Sequence, residues 1–226
     1  MALPQGEEKV RAVRAMFDSI APRYDLVNRI MTFRMDVGWR RRTVRALALD
    51  PKTTVLDLAC GTGDLCDELA HAGCVPVGVD LSFGMLASAH TAAPLVQADV
   101  LRLSMPDSSV DGATCGFALR NFVALEPFLT SLARVVRPQG RIALLEVATP
   151  TNRFLRWGHS LYFGHVVPRI GALLSDGAAY RYLPKSVAYL PEPAELLDMV
   201  RAAGFRDVRR DLLSGGIAQL ITATRA

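Results

Sequence analysis

The sequence predicts an α/β fold: a parallel sheet with right-handed crossovers, closed by an antiparallel strand pair. Three observations carry this. Between residues 50 and 150, short apolar runs alternate with segments of helical periodicity, as in strand–helix units that cover both faces of a parallel sheet. The first run, TTVLDLA (53–59), stops at Gly61 and Gly63, as a buried strand feeding a tight turn would. At the far end, FRDVRRDLL (205–213) and IAQLITATR (217–225) flank Ser214-Gly215-Gly216, a hairpin-like pattern.

Taken in order, residues 7–21 place Val10, Val13, Phe17 and Ile20 at helical spacing. Residues 37–48 form a second helix with Arg40, Arg41 and Arg42 on its exposed side. A helix starts near Asp64, after the first strand. VPVGVD (75–80) is the second strand, followed by a helix near 83–91; PLVQAD (94–99) is the third and VDGATCGF (110–117) the fourth. Residues 124–136 put Leu125, Phe128, Leu129, Leu132, Val135 and Val136 on one helical face, and Pro138 and Gly140 stop that helix. RIALLEV (141–147) is the fifth strand, and a helix over 192–203 ends at Gly204. Residues 151–190 break the alternation. They are apolar and aromatic (Phe154, Leu155, Trp157, Leu161, Tyr162, Phe163), with Pro168 interrupting, and read as an insertion covering the mouth of the sheet.

The 226 residues suffice for one good-sized core, and 50% apolar with 21% charged residues excludes a disordered tail, a collagen-like fibre or a disulfide-dense mini-protein. No uncharged apolar stretch reaches bilayer length. The polar, acidic start MALPQGEEKV is unlike a signal peptide, so a cytoplasmic chain is expected. Cys60, Cys66, Cys74 and Cys115 lack CxxC spacing, which speaks for reduced thiols and against a metal site. Charge is uneven: residues 1–50 and 151–226 each carry ten basic and six acidic residues, while 51–150 carry six basic and ten acidic. An acidic middle suits a cationic ligand, and basic flanks suit an anionic surface; a plain mixed surface is the alternative. The net charge of +4 does not by itself argue for nucleic acid.

The turn Asp57-Leu-Ala-Cys-Gly61-Thr62-Gly63-Asp64 lies where open parallel sheets bind ligands, and its glycines admit close backbone approach. Cys66 stands where a dinucleotide loop has its third small residue, and Asp57 and Asp64 flank the turn. A pyrophosphate there meets like charge, whereas the sulfonium and ammonium of S-adenosylmethionine are stabilised. Asp80, 17 residues after Gly63, is placed to accept from both ribose hydroxyls, with Leu81 beside it. Asp99 is placed for the adenine amino group with the Val100 backbone alongside, and Met85 and Leu101 for the ring faces. Helix caps or turn acids are the other reading of Asp80 and Asp99. Acids at three successive strand ends favour the cofactor.

Several stretches carry a family resemblance: FDSIAPRYDLVN (17–28), Trp39-Arg40-Arg41, VLDLACGTGD (55–64), VDLSFGML (79–86), FALRN (117–121), RVVRPQGR (134–141) and YRYLPKSV (180–187). Through them the chain resembles the ubiquinone/menaquinone biosynthesis C-methyltransferases over nearly its whole length. The resemblance implies a class I S-adenosylmethionine-dependent methyltransferase fold, with a mostly parallel seven-stranded sheet, helices on both faces and an antiparallel last strand. It implies a polyprenylated quinol as acceptor. It places cofactor contacts at Thr62, Asp80, Asp99 and Val100, and acceptor-side residues at Tyr24, Arg120 and Asn121. Gly116 stands where many members have serine. The tail GGIAQLITATRA (215–226) and Lys185 depart from the family pattern, so another lipid or phenolic acceptor on the same donor site stays open.

The reaction expected is displacement at the sulfonium methyl by a ring carbon, with Arg120 polarising the ring hydroxyl and water taking the proton. An Arg120–Asp ion pair holding the loop is the alternative. His159 and His165 are alternative bases, and Glu146 reads as a structural acceptor rather than a base. No metal is required. One domain is expected, with 1–48 as a helical lid and 151–190 covering the acceptor tail. Arg153, Arg156, Arg169 and the Arg40–Arg42 run are placed for anionic headgroups, giving weak peripheral membrane association at the inner face of the plasma membrane. A homodimer is compatible with the sequence. Rival classes are an NAD-dependent oxidoreductase, which lacks a Tyr-x-x-x-Lys pair here, and a donor-binding scaffold without chemistry.

Overall fold

Seven strands form one sheet in the order β3-β2-β1-β4-β5-β7-β6. They are β1 (Thr54–Leu58), β2 (Val75–Asp80), β3 (Leu95–Gln97), β4 (Val110–Gly116), β5 (Val136–Val147), β6 (Phe205–Leu213) and β7 (Ala218–Arg225). The structure is a computed structural model and describes residues 5–167, 169 and 186–226. Strand β7 runs antiparallel to both its neighbours, and every other adjacent pair is parallel. The chain order reverses between β1 and β4, which opens a crevice at the carboxyl ends of these strands.

Period-two alternation fills both faces. Leu56, Leu58, Ile142, Leu144 and Ile221 meet Phe128, Leu129 and Leu132 of α6 (Leu125–Val135) and Leu196 and Val200 of α8 (Pro193–Ala202). Their neighbours Val55, Ala143, Leu145 and Leu220 meet Trp39, Val44 and Leu47 of α3 (Met35–Leu47) and Leu65 and Leu69 of α4 (Asp64–His71). Phe128 is fully buried, so Phe128→Ala costs about 3–5 kcal/mol. A third cluster lies beyond the strand ends. There Ile20 of α1 (Gly6–Ile20) and Val27 and Met31 of α2 (Tyr24–Met31) pack with Met85 of α5 (Phe83–Ala87) and with Val167.

Several expectations need correction. Helix α2 is a separate element that the sequence reading did not resolve; Pro22 and a short 3-10 turn (Ala21–Arg23) split it from α1. The helix after β2 ends at Ala87, not near 91, because the chain then turns so that His90 N–H reaches the Thr62 carbonyl. Strand β3 is only three residues long. Arg40 is not on an exposed side. Its guanidinium is buried against Asp36 one helical turn earlier and against Asp64, at 2.9 Å. Arg41 is exposed and pairs with Glu68. Of the 151–190 insertion, α7 (Arg153–Leu161) and one π-helical turn (Tyr162–Val166) are described. Pro168, Ile170 and 180–185, including Lys185, lie outside the described residues, as do the side chains of His159, Phe163 and His165.

Candidate active site

The crevice holds a cleft of about 840 Å³, part of it open to solvent. Its floor comes from the strand ends. Ala59 and Gly61 follow β1, Asp80 to Ser82 end β2, Asp99 to Leu101 follow β3, and Gly116 to Ala118 end β4. Two floor residues, Ala59 and Phe117, hold left-handed backbone (φ 53° and 58°), costing roughly 1–3 kcal/mol each; such strain concentrates at functional sites.

Asp80 organises the floor. One carboxylate oxygen accepts from the Gly61 N–H and the other from the Ser82 N–H, both at 2.8 Å, so one side chain ties the first glycine turn to the start of α5. Burial raises its pKa above the ordinary aspartate value, and its carboxylate keeps lone pairs toward the cleft. Asp99 accepts from the Leu101 N–H, while Met85 and Leu101 supply apolar wall. Gly116 is explained by packing: a Cβ there would lie 2.9 Å from Leu65 Cδ1, so Leu65 fills the place a serine side chain would take.

The acids flanking the glycine turn play another part. Asp57 has no exposure; it accepts from Thr114 Oγ1 at 2.7 Å and from the Cys66 thiol, behind the loop, and burial pushes its pKa up to about 7. Asp64 is answered by Arg29 at 3.0 Å and Arg40 at 2.9 Å, with His90 beside it. Neither lines the cleft; among the described residues the carboxylates that do are Asp80 and Asp99. The electrostatic argument therefore moves from the turn's flanks to the ends of β2 and β3. Gly63, the α4 N-cap at φ 93°, faces Thr91, not the cleft. Thr62 also points elsewhere, donating to Asp25 of α2 at 2.8 Å.

The roof is helical. Val10, Val13, Arg14 and Phe17 of α1 face the cleft, with Tyr24 of α2 beside Phe17. Side chains hold α1 down at both ends. Asp18 accepts from Ser82 Oγ at 2.6 Å and from the Gly84 N–H at 2.8 Å. A Cβ on Gly84 would lie 2.8 Å from the Asp18 Cα, so glycine permits this approach. Nine residues earlier, buried Lys9 donates to the carbonyls of Arg120 (3.1 Å) and Phe122 (2.6 Å), and its ammonium lies 3.5 Å from the Tyr189 ring centroid. Desolvation lowers the Lys9 pKa to about 8. Sequence reasoning missed Lys9 and Asp18: pairs spanning 64 to 113 residues leave no local pattern.

Tyr24 and Asn121 line the cleft, as expected for acceptor-side residues. Burial raises the Tyr24 pKa, keeping the phenol protonated. Arg120 does not line it. Its guanidinium is buried against Glu146, donates to the Phe117 carbonyl at 2.7 Å and to Ser186 Oγ at 3.1 Å, and its N–H also meets Glu146. A loop-holding ion pair is realised, but its acid is Glu146 and not the aspartate expected, with Glu146 the structural acceptor.

Carboxylates at successive strand ends for hydroxyl and amino groups, with apolar flanks, fit S-adenosylmethionine. The ubiE/COQ5 methyltransferase family profile matches residues 4–225. This chain belongs to the ubiE/COQ5 methyltransferase family. Relatives include the ubiquinone/menaquinone biosynthesis C-methyltransferase UbiE of Syntrophotalea carbinolica, 43% identical over 222 residues and 94% of each chain. The demethylmenaquinone methyltransferase of Deinococcus radiodurans is 43% identical over 220 residues, covering 92% of this chain and 91% of that one. Among solved structures, a SAM-dependent methyltransferase from Archaeoglobus fulgidus superposes with a TM-score of 0.67 at 16% identity, over 89% of this chain and 99% of that one. At that identity the likeness is one of fold. As a member of the family, the chain is an S-adenosylmethionine-dependent methyltransferase.

Proposed function

We infer that this methyltransferase moves a methyl group to a ring carbon of a polyprenylated quinol of the demethylmenaquinol type in lipid quinone biosynthesis. The observation that carries this is one cleft that brings Asp80 and Asp99 at the strand ends together with Tyr24 of the helical roof and Asn121 of the turn after β4. The relatives, matched over more than nine-tenths of either chain, are by name a ubiquinone/menaquinone biosynthesis C-methyltransferase and a demethylmenaquinone methyltransferase. One domain does this work, with 1–48 as its lid and 151–190 beside the acceptor tail. It works in the cytoplasm, peripheral to the inner face of an anionic membrane.

When bound, S-adenosylmethionine supplies a sulfonium methyl that an electron-rich carbon can displace without a metal. Asp80 fixes the ribose hydroxyls and Asp99 the adenine end, aligning that methyl with the acceptor side. The ring must be made electron-rich, and ionising a phenol-like hydroxyl of pKa near 10 costs about 4 kcal/mol at pH 7. Tyr24, kept neutral by burial, and the Asn121 amide can donate to the developing oxyanion. Water in the open part of the cleft takes the proton. Arg120 acts one step back. Clamped by Glu146, it sets the turn that presents Asn121, a positioning role that replaces direct polarisation of the acceptor.

The test is methyl transfer from labelled S-adenosylmethionine to a panel of quinols, phenols and phospholipid amines, beside mass spectrometry of quinones from cells lacking the chain. Transfer to quinols and accumulation of a quinone one methyl lighter are expected. Transfer only to another acceptor would overturn the quinol assignment and leave the donor site standing.

A further inference from the structure

Two helices expose apolar stripes that the interior does not use. Leu26 and Ile30 of α2 and Phe33 just beyond it follow at i, i+4 and i+7, while Val27 and Met31 turn inward. On α7, Phe154, Trp157 and Leu161 follow at i, i+3 and i+7, with Phe154 83% and Trp157 72% exposed. The stripes adjoin. The Phe33 ring lies 5.7 Å from that of Tyr162, whose hydroxyl donates to the Met31 carbonyl at 2.9 Å. Phe33 and Arg34 are left-handed (φ 51° and 62°), unfavourable for bulky side chains, and this turn leaves the Phe33 ring 72% exposed.

Among the described residues, the exposed charge bordering the two stripes is basic. Arg34, Arg153, Arg156 and Arg169 are exposed, and residues 151–169 contain no Asp or Glu. The acid of α2, Asp25, turns away to Thr62 and His90. A contiguous apolar face of this kind marks an interaction site, and a basic rim disfavours a second copy of the same face.

We propose that this face docks the enzyme on a bilayer containing anionic phospholipid: Phe33, Phe154, Trp157 and Leu161 enter the headgroup region and the arginines meet its phosphates. This rests on the reading of a membrane-borne acceptor. The docking face and the cleft share α2, which carries Leu26 and Ile30 outward and Tyr24 to the cleft. A tailed acceptor thus enters past α2 without its tail crossing water.

The chain's two tryptophans make the test direct. Trp39 is buried, its Nε1 donating to Ser214 Oγ, so a change in emission on docking reports Trp157. Phosphatidylcholine vesicles with and without phosphatidylglycerol are the probe. A blue shift on the anionic vesicles only, quenched by bromine-labelled lipid, is expected. The double variant Phe33→Ser/Phe154→Ser should sediment with anionic vesicles at least about tenfold more weakly, as loss of two buried aromatic side chains requires. It should methylate a short-tailed, water-dispersed quinol at the original rate. Vesicle binding with no Trp157 shift, or an unaltered double variant, overturns this face while leaving membrane association in place. A concentration-dependent shift without vesicles, accompanied by dimer mass, assigns the face to a second copy instead. Docking as described together with no quinol methylation would refute the acceptor reading and spare the face.

Discussion

The floor and the roof of the cleft are built by different means. The floor hangs on the sheet: Asp80 grips two backbone N–H groups, and the turn after β1 is closed by the Gly63 N–H to the Cys60 carbonyl and the Cys60 N–H to the Val79 carbonyl. The roof is held by a small apolar cluster around Ile20, Val27, Met31 and Met85 and by side-chain contacts, Lys9 and Asp18 from α1 and Asp25 and Arg29 from α2. The floor contacts join turns anchored on adjacent strands of the sheet, whereas the roof's polar contacts are individual side chains reaching across from helices. A donor site can therefore persist while the helices above it lift.

The largest effect tests the floor. Asp80→Ala removes a carboxylate that ties the glycine turn to α5 and that we propose holds the ribose, and should weaken S-adenosylmethionine binding roughly hundredfold or more by titration calorimetry. Undiminished binding would mean the donor lies elsewhere in the cleft. Next comes the roof. Lys9→Met should lower kcat/KM for the acceptor roughly tenfold, the worth of one or two charged hydrogen bonds, with donor affinity nearly unchanged. If donor and acceptor suffer equally, floor and roof are not separable. Lys9 also gives the roof a pH sense. Its pKa is lowered from 10.5 to about 8 in the closed form, so closure carries a penalty below pH 8 that fades as pH rises toward 10.5. Hydrogen exchange of α1 should slow over that window, and Lys9→Met should abolish the trend.

A smaller effect belongs behind the floor. Asp57 titrates at about 7 in the folded chain and near 3.9 unfolded, so its contribution to stability is complete below about pH 4 and lost as pH rises through 7. Asp57→Asn should flatten denaturant midpoints between those limits. The smallest concerns strain: Ala59→Gly should raise stability by up to about 1 kcal/mol by relieving its left-handed backbone, at some loss of floor rigidity.

The legible parts were those with local signatures. Strands betray themselves by apolar runs stopped at glycine, and the strand-end positions of Asp80 and Asp99 place both in the lining of the cleft. What the sequence concealed was partnership. Arg40, in a run of three arginines, looks solvated until Asp36 and Asp64 close around it, and Asp57 looks like a ligand until Thr114 takes its oxygen. Arg120 carries the same lesson, since a family pattern marks the position without saying that Glu146 faces it. The end of α1 was legible, since a helix over 7–21 matches Gly6–Ile20, but α2 (Tyr24–Met31) was not resolved as an element of its own.

The position of β7 has its own consequence for biosynthesis. It lies between β5 and β6 and bonds to both, although it follows both in the chain. On the ribosome, β5 and β6 must wait with unsatisfied edges until residues 218–225 emerge, so the sheet completes late and from the inside. A nascent chain stalled before that point should be the species most in need of a chaperone.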